Sequence, residues 1–89
     1  MEQNTDQTLR RILSDVLALK PAQAESFTAS TGLFGHLPEL DSMAVAGLLT
    51  EIEDRLHITI EDDEVDGDLL ETYGALLNFV EAKLRHPAG

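Results

Sequence analysis

Cysteine is absent from these 89 residues, so disulfides, thiolate-bound zinc and thiol catalysis are all excluded. Any sulfur chemistry has to be brought in by a cofactor. Tryptophan is also missing, and one Tyr and three Phe make aromatics only 4% of the chain. A core must therefore be built from Leu, Ile, Val and Ala, which suits packed helices. Bases are scarce: six Lys and Arg stand against seventeen Asp and Glu, a formal net charge of −11. That charge disfavours nucleic acid and anionic membrane as partners and favours basic protein surfaces, reached by electrostatic steering. No apolar run approaches the roughly 20 residues that span a bilayer. Nor does Met1-Glu2-Gln3-Asn4-Thr5-Asp6 supply the basic start and apolar stretch of a signal peptide, so a cytoplasmic location is expected. The length allows one domain over 1–89, with an ordered core over about 5–85.

What the chain does have is apolar periodicity of the helical kind. Leu9, Ile12, Leu13, Val16 and Leu17 form the first stripe. Asn4 or Thr5 can cap its start, and Pro21 is expected to stop it after Lys20. A second helix is expected from about Ser42 to His57, with Val45, Leu48, Leu49, Ile52 and Leu56 turned inward. The last helix begins near Thr72, a good N-cap, and presents Tyr73, Leu76, Leu77, Val80 and Leu84 to the core. The tail His86-Pro87-Ala88-Gly89 is expected to fray.

Between the first two helices runs a Ser-, Thr-, Gly- and Pro-containing stretch from Pro21 to Asp41. A loop that long in a small domain is usually functional or carries structure of its own. Phe27, Leu33, Phe34, Leu37 and Leu40 offer apolar anchors along it. Ile58-Thr59-Ile60 alternates like a strand but has nothing to pair with, so it reads as an extended connector. Asp66 to Glu71 is expected to form a short helical turn that holds Leu69 and Leu70 inward. The fold class that results is all-α. It is a small irregular four-helix bundle, with three main helices, a short third helix and a long loop between helices 1 and 2.

Leu40-Asp41-Ser42-Met43 stands immediately before the second stripe, where Asp and Ser are ordinary helix-capping residues. The helical wheel adds more. With the stripe turned inward, Met43, Gly47, Thr50 and Asp54 face out. Ala46 and Glu53 flank them on one side, Ala44 and Glu51 on the other. An apolar Met beside a serine, on a face bared by a mid-helix Gly, allows another protein to come close. The helix start also favours an anion bonded to that serine.

Asp41-Ser42 followed by an apolar residue and an acidic helix resembles the attachment motif of the acyl carrier protein family. The resemblance extends over nearly the whole chain. It takes in the first helix, Leu33-Phe34-Gly35, Leu40-Asp41-Ser42-Met43, Glu53-Asp54, Ile58-Thr59-Ile60, the run Asp62-Asp63-Glu64, and the final helix from Tyr73 to Val80. More narrowly, Pro38 to Val45 resembles the stand-alone carriers of bacterial exosortase and exopolysaccharide systems. The resemblance implies a carrier and not an enzyme. A phosphopantetheinyl transferase, with magnesium, would attach 4'-phosphopantetheine from coenzyme A to Ser42, next to Asp41. The arm would hold an acyl or aminoacyl group as a thioester.

Partners with basic docking surfaces, such as an acyl-activating ligase or an acyltransferase or synthase, would then meet the monomeric carrier. The docking positions implied are Met43, Ala46, Glu53 and Asp54, and the outward face of the wheel adds Gly47 and Thr50. Ile52, Ile60, Val65, Leu70 and Leu76 match the residues of the family's acyl cleft and serve equally well as plain core. Two positions often acidic in fatty acid carriers are Ala44 and Gly47 here, so a dedicated partner is implied. The connector before the short helix is about two residues longer than usual.

Two other readings compete. One is a helical interaction module that keeps the fold and carries no arm. The other is a calcium protein, because residues 61–71 hold seven acids and no base. Asp62, Glu64, Asp66, Gly67 and Asp68 imitate the start of a calcium loop, but its twelfth position, where a bidentate Glu belongs, is Tyr73. His36, His57 and His86 are scattered without ligand spacing, so no metal site is expected.

Overall fold

The first helix, α1 (Thr5–Leu17), buries Leu9, Ile12, Leu13 and Leu17, one face of a 3.6-residue repeat. Asn4 caps it by accepting the Gln7 N–H at 3.1 Å. The helix ends sooner than Pro21 would force. Ala18 turns into the left-handed region at φ 56°, and its N–H returns to the Ser14 carbonyl. Leu19 closes the same end: its N–H reaches Ser14 O at 2.9 Å, and its carbonyl accepts the Ser14 hydroxyl at 2.9 Å. Pro21 therefore breaks nothing. It opens a short helix, α2 (Pro21–Glu25), at the first helical position, where a missing N–H is harmless.

The computed structural model describes residues 4–85, so the tail from His86 to Gly89 lies outside the described residues. Within them, α3 (Ser42–Leu56) and α4 (Tyr73–Arg85) complete the helices. The central α1 packs against α2, α3 and α4. One apolar cluster joins α1, α3 and α4 with the first loop, from Leu9 and Phe27 through Leu48 and Ile52 to Leu76 and Val80, and α2 adds the buried Ala24. Among the described residues there are four α-helices, the number the sequence predicts, but the short one sits elsewhere. It lies in the first loop. The 66–71 segment forms successive turns instead, preceded by a 3-10 turn at Asp62–Glu64. Leu69 and Leu70 are nonetheless buried as expected.

The long first loop is tied down by backbone bonds to the start of α4. Leu33 and Phe34 donate to the carbonyls of Glu71 and Leu70, at 3.0 and 2.9 Å. Tyr73 and Gly74 donate to those of Thr31 and Ala29, both at 2.9 Å. The approach is close enough to require glycine: a Cβ on Gly74 would sit 2.7 Å from the Ala29 carbonyl oxygen. Apart from an isolated Gly32–Thr72 bridge, the described residues hold no strand, and Ile58 to Ile60 is an extended connector.

Tyr73 anchors the helical layers to one another. It is buried, packs on Phe27 with ring centroids 5.7 Å apart, and carries the Arg10 guanidinium 4.8 Å above its ring. Its hydroxyl donates to the Asp6 carboxylate and lies 3.0 Å from the Asp6 carbonyl. Burial, and then the Asp6 carboxylate, push the phenol well above its ordinary range. The same hydroxyl, seconded by Arg10, holds Asp6 below the usual carboxyl value. Arg10 also donates to the Ala24 and Glu25 carbonyls at 2.8 and 3.1 Å, so it satisfies the end of α2.

Candidate functional site

The start of α3 is fixed from behind by Leu40, which is 3% exposed, and by the Leu40 N–H bond to the Leu37 carbonyl at 3.0 Å. Asp41 is the N-cap: its carboxylate accepts the Ala44 N–H at 2.8 Å, and its carbonyl accepts that of Val45 at 3.0 Å. The first-turn N–H groups left over are those of Ser42 and Met43. Ser42 occupies the first helical position and is exposed. Its hydroxyl makes no hydrogen bond to another described residue.

A serine so placed is an accessible alcohol, not an activated nucleophile. His57 caps the other end of α3, roughly 20 Å away at 1.5 Å per residue. His36 lines the same depression as Ser42 but is not bonded to it. Among the described residues, no base is hydrogen-bonded to the Ser42 hydroxyl. The site instead suits a covalent phosphodiester. The Ser42 and Met43 N–H groups and the positive end of the α3 dipole would face the anion, and the oxygen is open to a visiting enzyme. The residues present thus fit a phosphate-linked group.

Beside Ser42 lies an open depression of about 440 Å³, walled by the turns of residues 34–42. Phe34, predicted as a core anchor, is 45% exposed on this wall, although the neighbouring Leu33 is fully buried. The reason is alternation: Leu33 and Phe34 are both pinned by backbone bonds to residues 71 and 70, so their side chains leave on opposite sides.

The outward face of α3 matches the wheel. Met43 is 85% exposed, and Ala46, Gly47, Thr50 and Asp54 are exposed with it. A Cβ built on Gly47 would meet nothing within 4 Å, so packing does not require a glycine there. Glu53 differs from the others. It is half-buried, and its carboxylate accepts the Ile60 N–H at 2.7 Å, tying α3 to the following connector. Sequence reasoning missed that role because the bond depends on how the connector folds back. Glu51 pairs with Arg55 at 2.9 Å, and Arg55 reaches across to Asp15 at 2.8 Å.

Of the cleft candidates, Ile52, Leu70 and Leu76 are buried in the shared core, while Ile60 and Val65 are half-buried against it. The acidic segment is engaged structurally. Glu64 bonds Lys83 at 2.7 Å and the Glu61 N–H at 2.8 Å, and both hold its carboxyl below the usual range, Lys83 first. Asp66 accepts the N–H groups of Asp68 and Leu69 at 3.1 and 3.0 Å. Tyr73, at the twelfth position of the apparent calcium loop, is buried with its hydroxyl on Asp6.

Ser42 thus stands exposed at a helix tip of an acidic, helical scaffold, open to a modifying enzyme. The family model described as a phosphopantetheine attachment site matches residues 7–80. The chain is also similar to the solution NMR structure of a holo acyl carrier protein from Nitrosomonas europaea. The two share 42% sequence identity at a TM-score of 0.84, over 94% of this chain and 100% of that one. No curated protein matches the chain. The chain belongs to the phosphopantetheine-attachment family and has the acyl carrier fold. It is a carrier that works through covalently attached 4'-phosphopantetheine, not an enzyme, and phosphopantetheinyl transferases and acyl-handling enzymes are the partners of such proteins.

Proposed function

We propose that Ser42 is the hydroxyl that receives the arm, and that the protein presents an acyl or aminoacyl thioester to dedicated partners through the outer face of α3. The observation that carries this reading is the exposed, unbonded Ser42 at the first position of α3, with Asp41 already committed to the Ala44 N–H. On a phosphopantetheinyl transferase, Ser42 Oγ displaces adenosine bisphosphate from coenzyme A. An Oγ–P bond replaces the P–O–P linkage, and the hydroxyl proton passes to a base of the transferase. When bound, the arm supplies the thiol that the cysteine-free chain lacks.

Met43, Ala46, Gly47, Thr50 and Asp54 form the docking face, small at its centre and acidic at its far end. Glu53 adds charge at its edge while holding Ile60. A basic surface on an acyl-activating ligase, an acyltransferase or a synthase complements this face and the net charge of −11. With Ala44 and Gly47 where fatty acid carriers are often acidic, the partners are dedicated ones, in lipid or exopolysaccharide biosynthesis in the cytoplasm. The chain acts as one monomeric domain. Ile52, Ile60, Val65, Leu70 and Leu76 are the residues between which an acyl chain would insert.

Incubation with coenzyme A, magnesium and a broad-specificity transferase tests the assignment by intact mass. The protein gains one phosphopantetheine, and Ser42→Ala gains none. A gain that persists in Ser42→Ala overturns it.

A further inference from the structure

The depression beside Ser42 has a wall on which Phe34 and Pro38 are exposed, while Leu37 and Leu40 turn toward the core. Phe34 is 45% exposed there, with Leu37 and Pro38 next to it, while the surrounding backbone is firmly held. His36 and Leu37 donate to the Leu33 carbonyl at 2.9 and 2.8 Å, Leu40 donates to that of Leu37 at 3.0 Å, and Phe34 donates to that of Leu70 at 2.9 Å. Fully buried Leu33 and nearly buried Leu40 fasten both ends. The hollow is therefore pre-formed, and a ligand that fills it has little ordering cost to meet. It is shallow and open to solvent, about 440 Å³, so it can offer a tethered group one wall and not an enclosure.

The chemistry of the wall is specific. Among the residues that line it, His36 is the only basic group, and the one acid, Asp41, spends a carboxylate oxygen on the Ala44 N–H. Phe34, Leu37 and Pro38 line the hollow, Leu37 half-buried against the core, and His36 lines it too, with its ring carbons packed against Gly32. Pantetheine has the matching sequence of groups: a phosphate at the tether, then a branched gem-dimethyl unit, then amides. A group tethered to Ser42 meets this wall at high effective concentration, so even a shallow apolar contact is populated.

We propose that the hollow of residues 34–42 is a resting cradle for the proximal half of the carrier's own arm. The gem-dimethyl unit packs on Phe34, Leu37 and Pro38, with His36 donating to the phosphate or the first amide. The cradle lies on the first-loop side of Ser42, and its lining shares no residue with the core positions Ile52, Ile60, Val65, Leu70 and Leu76. Docking by a partner that covers Phe34 would lift the arm out, so loading and release become linked to contact with the first loop.

This proposal rests on attachment at Ser42, and one experiment separates the two. The full chain is converted to the holo form with isotope-labelled coenzyme A, checked by intact mass, and studied by NMR. The expected result is a set of nuclear Overhauser contacts from the arm methyls to the Phe34 ring and Leu37 methyls. These contacts vanish in Phe34→Ser and persist in Thr59→Ser, an exposed position of the connector that belongs neither to the wall nor to the outer face of α3. The amide fingerprint of Phe34→Ser shows that the fold is kept. A full mass gain with no arm contacts to Phe34 or Leu37 in the wild type overturns the cradle and leaves the attachment reading intact. Absence of any mass gain at Ser42 overturns both.

Discussion

Where α1 meets α4, the Tyr73 hydroxyl goes to Asp6, Arg10 goes to Asp6, Ala24 and Glu25, and among the described residues no buried side-chain polar atom lacks a partner. At the tip of α3, the Ser42 hydroxyl is exposed and unbonded, beside Met43 at 85% exposure and a bare Gly47. The first region is closed to chemistry because a buried polar group without a partner costs about 1–3 kcal/mol. The second remains open because water satisfies it until an enzyme arrives. A carrier needs both: a scaffold rigid enough to hold one helix start in place, and a helix start that the scaffold leaves uncovered.

Substitutions should therefore split by region. The largest stability loss belongs to the core under the site. Ile52→Ala should cost about 2–5 kcal/mol, read from the urea midpoint, because Ile52 is fully buried. A loss well below that would mean that the α3–core packing is loose, as an opening cleft requires.

Next comes Tyr73→Phe, which removes the hydroxyl on Asp6 and should cost about 1–2 kcal/mol. Its pH signature is sharper than its size. Asp6 is held below its ordinary value by Tyr73 first, so its stabilising effect is complete above the unfolded carboxyl titration and is lost as pH falls through the lowered folded value. The raised Tyr73 contributes fully below the ordinary phenol range near 10 and loses its contribution as pH rises through the folded value. Tyr73→Phe should therefore flatten the stability–pH curve at both its acid and its alkaline ends, and denaturation at several pH values checks this.

At the open region the effects on folding should be smaller. Asp41→Ala removes the cap on the Ala44 N–H and should cost about 1 kcal/mol. Its thermal midpoint and its rate of phosphopantetheine gain should both fall. Gly47→Ala reverses the sign. Nothing lies within 4 Å of the added methyl, so the helix should gain up to about 1 kcal/mol. If the docking reading holds, that more stable variant should transfer cargo to its native partner more slowly, with the mass gain at Ser42 unchanged.

The helices could be read because their causes are local. The stripe from Leu48 to Leu56, the Asn4 and Asp41 caps and the Thr72 cap on Ala75 each depend on residues a few positions apart. The early stop of α1 was hidden because Ala18 is not the glycine that usually marks a left-handed cap. Pro21 reads from the sequence as a stop, but a proline ends one helix and begins another with the same geometry, and here it begins α2. Glu53 gave no signal of its bond to Ile60, since an exposed-looking acid on a wheel says nothing of what folds over it.

The sequence by itself determined the helical class, the cap at Asp41, the outward turn of Ser42 and Met43, and the need for an imported thiol. Those follow from periodicity, capping chemistry and the absence of cysteine, which act over one or two turns. Only the tertiary structure decided that the first loop is bonded along the start of α4, that Phe34 faces out beside Ser42, and that Tyr73 closes on Asp6. Those contacts join residues far apart in the chain, and they form only once the apolar faces of the helices have packed together.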